Sequence, residues 1–246
     1  LYLPMMRDYK LSTFQATLKT IKAGYVQAMA LELIDHNPLA KTHFADFSTR
    51  RPSPRQTRLD DAAIKSFIKQ LGKSPLKTRM LGAWLLLHAS RVGETSLANI
   101  ERIQDGRWEI REDEAKNQLN VIPITGYAQD LLNRYRSIMR KRTGYRGQYL
   151  FAQKRNRRKP VSATQASNMI RNATKGKVSP HDIRKRARTW WLDNGIDYFV
   201  GELLIGHKMK DLDAAYIQTH ARGECLKALN QWHEYLFKLG LGDLIR

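Results

Sequence analysis

Residues 179–191 read SPHDIRKRARTWW and place a histidine and an arginine at the start of a predicted helix. His181 and Arg184 are three residues apart, so both side chains lie on one face of that helix. A helix N-terminus carries a partial positive charge and favours a bound phosphate. The stretch therefore indicates a site for an anionic group.

A tyrosine follows in a second stretch, residues 203–220, which read LLIGHKMKDLDAAYIQTH. Tyr216 comes nine residues after His207. A tyrosine near His and Arg side chains can attack a phosphorus atom when a nearby group accepts its proton. On spacing alone, two other interpretations stay open: Tyr216 as a half-buried packing residue, and His207 as a helix-cap or loop residue after Gly206.

The charge of the chain indicates a polyanionic partner. Its 246 residues include 43 Lys and Arg against 23 Asp and Glu, a formal net charge of +20. Four basic clusters contain Arg50, Arg51, Arg55 and Arg58; Arg134, Arg136, Arg140, Lys141, Arg142 and Arg146; Lys154, Arg155, Arg157, Arg158 and Lys159; and Arg184, Lys185, Arg186 and Arg188. Their spread over separate elements favours nucleic acid over an anionic membrane, which usually attracts one amphipathic helix or tail. For any single cluster, an ordinary solvated face is an equal alternative.

Cysteine content and hydropathy exclude several classes of protein. The single cysteine, Cys225, excludes a disulfide framework and a cysteine-based zinc cage. A zinc site formed by His207, His220 and Cys225 lacks a second cysteine or a close His pair, so we expect no metal and no cofactor. The longest nearly apolar run, residues 81–89, is too short to cross a bilayer, and no signal segment opens the chain. We expect an intracellular protein without a membrane partner and, because the first residue is Leu1, a piece of a longer chain.

Apolar periodicity predicts a mainly helical fold with one small antiparallel sheet. The predicted helices cover residues 11–34, a segment capped by Asp60 or Asp61 that continues to Leu71, then 78–88, 126–141, 163–173, 182–193, 198–205 and 211–219, and a last amphipathic helix with Leu226, Leu229, Trp232, Leu236 and Phe237. Residues 108–111 and 119–122 alternate between apolar and polar side chains and predict a hairpin. Residues 48–58, with two prolines and four arginines, predict a basic interdomain linker.

Five motifs in order resemble the tyrosine recombinases, specifically phage or prophage-type integrases. They are Arg91-Val92-Gly93-Glu94, Lys116 in the predicted hairpin, His181-Asp182-Ile183-Arg184, Leu204-Ile205-Gly206-His207, and Tyr216. The resemblance covers about residues 59–220, and residues 30–38 resemble the end of the family's core-binding domain. It implies a helical core-binding remnant over 1–47, the linker 48–58, and a catalytic domain with a tail helix over 59–246.

The resemblance also implies a chemistry for the phosphate-binding residues. Tyr216 is expected to attack a DNA phosphodiester and form a 3′-phosphotyrosyl link, which needs no metal and no ATP. Arg91 and Arg184 are expected to hold the non-bridging oxygens, where charge grows in the transition state.

The resemblance also implies roles for the remaining motif residues. Lys116 is expected to protonate the leaving 5′ oxygen, with an ordinary solvated lysine as its alternative. His181 is expected to help accept the tyrosine proton, and His207 to hydrogen-bond a phosphate oxygen. Glu94 is expected to orient the site, because a carboxylate at the scissile phosphate would repel it.

The partners that the resemblance implies are double-stranded DNA at specific attachment sites and three further copies of the chain in a tetramer. Host DNA-bending and directionality factors are further candidates, and the implied location is the cytoplasm and nucleoid of a bacterial host. The expected DNA-binding residues are Arg50, Arg51, Arg55, Arg58, Arg155, Arg157, Arg158 and Lys159. The tail helix has two equal alternatives, packing on its own domain or on a neighbouring copy.

The implied activity is site-specific recombination that integrates or excises a prophage or a similar mobile element. A type IB topoisomerase is the alternative among enzymes, because it shares the Tyr, Arg, Lys and His chemistry. A catalytically silent DNA-binding relative is the alternative outside enzymes. An RNA-binding module is weaker, because the sequence has no exposed aromatic platform of the RNP type.

Overall fold

The computed structural model describes residues 8–50, 59–113, 119–207 and 211–246, with residues 211–220 described as helix backbone only. The chain divides into two compact units, with the division between Gln56 and Thr57. The predicted linker falls mostly on residues 51–58, which lie outside the described residues.

The first unit is built on helix α1, Leu11–Ala30. Phe14 is fully buried, and its ring lies 5.8 Å from Phe44 and 5.3 Å from Phe47, which belong to a short 3-10 turn and its end. These aromatic contacts hold the N-terminal half of α1 against the segment that follows it.

The helix ends four residues earlier than the sequence pattern predicts. Glu32 adopts a left-handed φ of 54°. The amide N–H of Glu32 donates to Met29 and that of Leu33 to Ala28, which together form a Schellman motif. Leu33 is 71% exposed, so the apolar periodicity of the sequence continues past the end of the helix although this residue is not packed in the core.

The second unit contains the remaining elements. Its helices are α2 (Asp61–Leu71), α3 (Leu76–His88), α4 (Val92–Ser96), α5 (Gly126–Thr143), α6 (Ala163–Ala173), α7 (Pro180–Asp193), α8 (Tyr198–Leu204) and α9 (Asp211–Lys238), and its strands are β1 (Ile103–Gln104), β2 (Arg107–Ile110) and β3 (Asn120–Pro123). The prediction of a mainly helical fold with a small antiparallel sheet is confirmed. Helix α4 and strand β1 are additions to the predicted elements.

Helix α3 is the centre of this unit. It is apolar on nearly every face, and its residues from Met80 to His88 are all buried. Helices α2, α5, α6, α7 and α9 pack around it. A Cβ atom at Gly82 would lie 2.4 Å from a methyl carbon of Leu71, so glycine allows α2 to approach this closely.

The sheet has the order β1-β2-β3 with antiparallel pairing throughout. Trp108 pairs with Ile122, and both side chains are buried. Asp105 and Gly106 have φ values of 53° and 68°, which form the type I′ turn between β1 and β2. The predicted hairpin is confirmed, while its tip at residues 114–118 lies outside the described residues.

Helix α9 corrects one prediction. Residues 211–238 form a single helix rather than two helices divided near residue 220. The segment contains no proline, and Gly223 has open space around it, so the helix continues through the glycine at a cost of about 1 kcal/mol. Leu229, Trp232 and Leu236 are buried in the core of their own unit, whereas Leu226 is 38% exposed. The described part of the tail therefore packs on its own domain.

Candidate active site

Three segments that are distant in sequence meet at an open cleft of about 500 Å³. The first segment joins α3 to α4, the second is the first turn of α7, and the third follows α8. The residues that line the cleft are Ser90, Arg91, Val92, Pro180, His181, Arg184 and His207. Four of the predicted site residues, Arg91, His181, Arg184 and His207, are thus brought together.

Arg91 is held by a buried carboxylate. Its backbone N–H donates to Glu94 Oε2 at 2.7 Å, and its Nη1 donates to Glu94 Oε1 at 2.6 Å. The Glu94 side chain is 2% exposed and that of Arg91 is 25% exposed. Arg91 Nη2 also donates to the carbonyl oxygen of Gly206 at 3.3 Å. Glu94 therefore orients the guanidinium from behind, and the remaining face of Arg91 lies toward the cleft.

Arg184 is held by two backbone carbonyls. Its Nη1 donates to Ala89 O at 2.9 Å, and its Nη2 donates to Ile205 O. Ala89 ends α3 in a left-handed conformation with φ 47°, which directs its carbonyl away from the helix ladder. The side chain of Arg184 thereby joins the end of α3, the start of α7 and the end of α8.

Burial, together with the nearby positive charge of Arg91, lowers the pKa of Arg184 to about 10. The carboxylates of Glu94 and Glu202 act in the opposite direction. Arg184 stays protonated at neutral pH, so the cleft contains two like charges that a bound anion would compensate.

His181 occupies the first turn of α7. Ser179 caps this helix, because its Oγ accepts from the N–H of Asp182 at 3.2 Å. Burial lowers the pKa of His181, and the charge of Lys185 acts in the same direction. A neutral imidazole at pH 7 is able to accept a proton, which agrees with the expected role of this side chain.

His207 directly follows a glycine that its environment requires. Gly206 has a left-handed φ of 59°, and a Cβ atom there would lie 2.7 Å from Nδ2 of Asn120 on β3. The His207 Nδ1 atom lies 2.6 Å from Oε2 of Glu202, a buried carboxylate on α8. Glu202 is not among the site residues predicted from the sequence. It is the single acidic residue within the otherwise apolar stretch of residues 199–205, FVGELLI, and this pattern is the signal that could have identified it.

The side chains of the two other predicted catalytic residues, Tyr216 and Lys116, are not described by the structure. Tyr216 belongs to the N-terminal part of α9, in the segment described as backbone. Lys116 lies outside the described residues. Their expected roles therefore stay predictions.

The position of α9 is fixed by side chains in its C-terminal half. Trp232 Nε1 and His233 Nε2 donate to the carbonyl oxygens of Leu86 and Leu87, each at 2.7 Å. Thr125 Oγ1 lies 2.6 Å from His233 Nδ1 and donates to it. Burial lowers the pKa of His233 to about 4, so the ring is neutral and has one donor and one acceptor. The helix that carries Tyr216 is thus anchored at the end of α3, three to four residues before Ser90, where the cleft begins.

The third and fourth basic clusters differ in the exposure and the contacts of their side chains. Residues 154–159 form an exposed turn, in which Arg157 Nη1 donates to the carbonyl oxygen of Thr143 at 2.8 Å. In the fourth cluster Arg184 is buried, whereas Arg186 and Arg188 are partly exposed and pair with Asp61 and Glu202.

The expected DNA-binding residues of the linker are Arg50, which is exposed, and Arg51, Arg55 and Arg58, which lie outside the described residues. The described side chains contain no group of three or more His, Cys, Asp or Glu that could hold a metal ion. Cys225 is buried, and burial raises the pKa of its thiol to about 11. Within the described ranges, no helix has the length and apolar character needed to cross a membrane.

Comparison with known proteins places the chain in a family. The sequence pattern of the phage integrase family matches residues 57–222. Tyrosine recombinase XerC of Chlamydia pneumoniae is 23% identical over 216 residues, which cover 85% of this chain and 68% of the relative. A lambda integrase(75-356) dimer bound to a COC′ core site superposes with a TM-score of 0.66 at 18% identity, over 86% of this chain and 77% of that one.

A lambda integrase tetramer bound to a Holliday junction gives a TM-score of 0.64 at 18% identity, over 85% of this chain and 62% of that one. At this level of identity the structural matches show a shared fold. The family match extends over well more than half of the chain and includes every residue that lines the cleft. The chain therefore belongs to the phage integrase family of tyrosine recombinases.

Proposed function

We propose that this chain cleaves and rejoins DNA strands at specific sites and thereby integrates or excises a prophage or a similar mobile element. The observation that carries the proposal is the cleft itself. Arg91 and Arg184 line it together with His181 and His207, and each arginine is fixed by protein acceptors rather than left mobile. The basic side chains that line this cleft suit a bound phosphate group.

The arginines supply the charge that the reaction needs. In the transition state, negative charge grows on the two non-bridging oxygens of the phosphate. Fixed guanidinium groups compensate that charge without reorganisation, and removing one such donor typically costs a factor of about 100 to 1,000 in rate. Arg91 and Arg184 take this role, with Glu94 orienting Arg91 from behind.

Tyr216 is the proposed nucleophile. Its phenolic oxygen attacks the phosphorus, the bond to the 5′ oxygen breaks, and a 3′-phosphotyrosyl link forms. A free tyrosine has a pKa of about 10, so the proton must pass to an acceptor, and His181 is neutral at pH 7. Lys116 donates a proton to the leaving 5′ oxygen, and His207 donates to a phosphate oxygen. The reverse attack by a 5′ hydroxyl restores the phosphodiester, so religation consumes no ATP.

The partner is double-stranded DNA, for which the net charge of +20 and the exposed turn of residues 154–159 are suited. We place the first unit in the role of a core-binding domain and the second in that of the catalytic domain. The lambda integrase tetramer on a Holliday junction supports a tetrameric assembly for this chain on two paired sites. DNA-bending and directionality factors are expected as further partners of that assembly.

A covalent trapping experiment tests the proposal. The protein is incubated with EDTA and a library of nicked suicide duplexes, from which the short fragment with the released 5′ hydroxyl diffuses away, and the products are run on a denaturing gel. We expect a protein–DNA adduct for the wild type and none for Tyr216→Phe, with equal DNA retention in a filter-binding assay. Strong DNA binding without any adduct would contradict the proposal and favour a silent DNA-binding relative.

Supercoiled plasmid separates the recombinase from a topoisomerase. A plasmid that carries two copies of a DNA site identified in the trapped adducts should yield recombinant junctions. Relaxed circles without recombinants would instead indicate a type IB topoisomerase.

A further inference from the structure

One buried carboxylate outside the predicted site makes two close contacts. Glu202 lies on α8 and is 7% exposed. Its Oε2 lies 2.6 Å from Nδ1 of His207, and its Oε1 accepts from Nε of Arg188 at 2.5 Å. Both oxygens of the carboxylate are therefore engaged, each by a different side chain.

The contact with Glu202 determines which ring nitrogen of His207 serves the cleft. A carboxylate only accepts hydrogen bonds, so Nδ1 of His207 carries a proton and donates it to Oε2. The second nitrogen, Nε2, is on the opposite edge of the imidazole. Because His207 lines the cleft, Nε2 is the atom available to a bound phosphate.

Glu202 is itself held by α7. Arg188 on that helix donates to Glu202 through Nε and to the hydroxyl of Tyr198 through Nη2 at 3.3 Å. The guanidinium carbon of Arg188 also lies 5.6 Å from the centre of the Tyr198 ring. Arg188 is one helical turn after Arg184, so this chain of contacts connects the ring of His207 to the helix that carries Arg184.

The negative charge of Glu202 also acts on Arg184. It is one of the two carboxylates that raise the pKa of the buried Arg184 against the effect of burial. Because Nδ1 and Nε2 lie on different edges of the ring, His207 can contact Glu202 and a phosphate oxygen at the same time.

We propose that Glu202 is a positioning residue that fixes the imidazole of His207 with Nδ1–H on the carboxylate and Nε2 toward the scissile phosphate. The inference rests on the proposed function, because the phosphate is the group that Nε2 would contact. It adds to the motif residues a carboxylate that acts through His207 and not on the phosphate itself. Arg188 in turn keeps this carboxylate in place.

A double-mutant cycle tests the route of this effect. Glu202→Gln keeps the size of the side chain and removes its charge. In the wild-type background we expect the rate of suicide-substrate cleavage to fall about 10- to 100-fold, the value of one charge-assisted hydrogen bond. In a His207→Ala background the same substitution should change the rate by less than about twofold. Equal losses in both backgrounds would overturn the proposal, because Glu202 would then act through the fold or through Arg184.

Asp197→Ala is the matched structural control. The Asp197 carboxylate caps α8 by accepting from the N–H of Phe199 at 2.8 Å, whereas Glu202 is the carboxylate that contacts His207. This variant should lower the melting temperature and show equal effects on cleavage in both His207 backgrounds. A purely structural role of Glu202 would give the same behaviour as this control.

Nitrogen-15 NMR of the histidine rings reads the proposed contact without DNA. We expect a protonated Nδ1 at His207 in the wild type, and a changed Nδ1 signal in Glu202→Gln but not in Asp197→Ala. A wild-type ring with a bare Nδ1 would overturn the inference. If the wild type formed no adduct with any DNA, the proposed function would fail, while this spectrum would still decide whether Glu202 holds the ring.

Discussion

Two arginine-rich stretches of similar composition behave in opposite ways. The turn of residues 154–159 is exposed along its length. On α7, by contrast, Arg184 donates to two backbone carbonyls, Arg186 pairs with Asp61, and Arg188 pairs with Glu202. The difference comes from what faces each stretch, because the carbonyl ends of α3 and α8 and two carboxylates meet α7.

The comparison separates two uses of positive charge in one protein. An arginine whose donors are occupied by protein acceptors is fixed in place, and it can stabilise a transition state because it need not reorganise. An exposed arginine contributes long-range attraction that salt screens. On this account the α7 arginines control the rate of cleavage, while the exposed turn controls the affinity for DNA.

The largest expected effect is at Arg184. Arg184→Lys keeps the charge but cannot donate to Ala89 and Ile205 in the same way, so the charge is no longer fixed. We expect cleavage to slow by a factor of about 100 to 1,000, with DNA affinity nearly unchanged. Single-turnover cleavage of the suicide duplex measures the rate. Arg158→Lys in the exposed turn is the matched control, and a similar loss of rate there would break the distinction between the two stretches.

A second effect concerns the pH dependence of stability that arises where α9 packs against the end of α3. Burial lowers the pKa of His88 to about 3 and that of His233 to about 4. The unfolded chain binds protons at these groups below pH 6.5, whereas the folded chain does not bind them until the lower pKa values are reached. The free energy of unfolding should therefore fall as pH drops from about 6.5 to about 4, by roughly 2 to 3 kcal/mol for His233.

Urea denaturation at several pH values measures this effect. His233→Gln should be less stable than the wild type at pH 7 and should show a shallower loss of stability toward pH 4. An unchanged slope in this variant would mean that other groups cause the acid sensitivity.

A third effect is expected at the exposed turn. Changing Arg155, Arg158 and Lys159 together to Gln should weaken DNA binding about 10- to 100-fold at moderate salt. The slope of log affinity against log salt should decrease in magnitude by about 3, because about 0.9 counterion is released for each phosphate contact. The melting temperature should stay unchanged, since these side chains are exposed. An unchanged salt slope would remove this turn from the DNA interface.

The smallest effect is expected at Gly206. Gly206→Ala combines a strained left-handed φ of 59° with a Cβ atom that meets the Asn120 side chain. We expect a loss of about 1 to 2 kcal/mol in the free energy of unfolding. Asn120→Ala in the same chain should recover the part that comes from the close contact, as read by thermal denaturation. No recovery would assign the whole cost to the backbone.

Local signals in the sequence predict much of the fold. Asp60 caps α2 through a hydrogen bond from the N–H of Ala63, as the pattern before the first apolar residue indicates. The predicted bounds of α6, residues 163–173, agree with the structure. Asp105-Gly106 is a type I′ signal that would also have revealed β1, although the prediction did not use it.

The site is less accessible to sequence reasoning where it depends on long-range contacts. Family resemblance identified the residues around the cleft, but Asp61 pairs with Arg186 across 125 positions of the chain. No spacing rule predicts such a pair, and the same limit applies to the carbonyls that hold Arg184. The sequence pattern predicts two helices where the structure has the single helix α9. The helix continues through Gly223, so a glycine without a nearby proline does not mark a helix end.

The central claim is that Tyr216 on α9 forms a covalent link with the 3′ phosphate of a cleaved strand. Its most direct test is mass spectrometry of the trapped adduct after protease and nuclease digestion, with the DNA labelled separately at each side of the nick. The account predicts a nucleotide attached to Tyr216 through a 3′ phosphate, on the peptide that follows His207. Attachment at another residue, or through a 5′ phosphate, would contradict it.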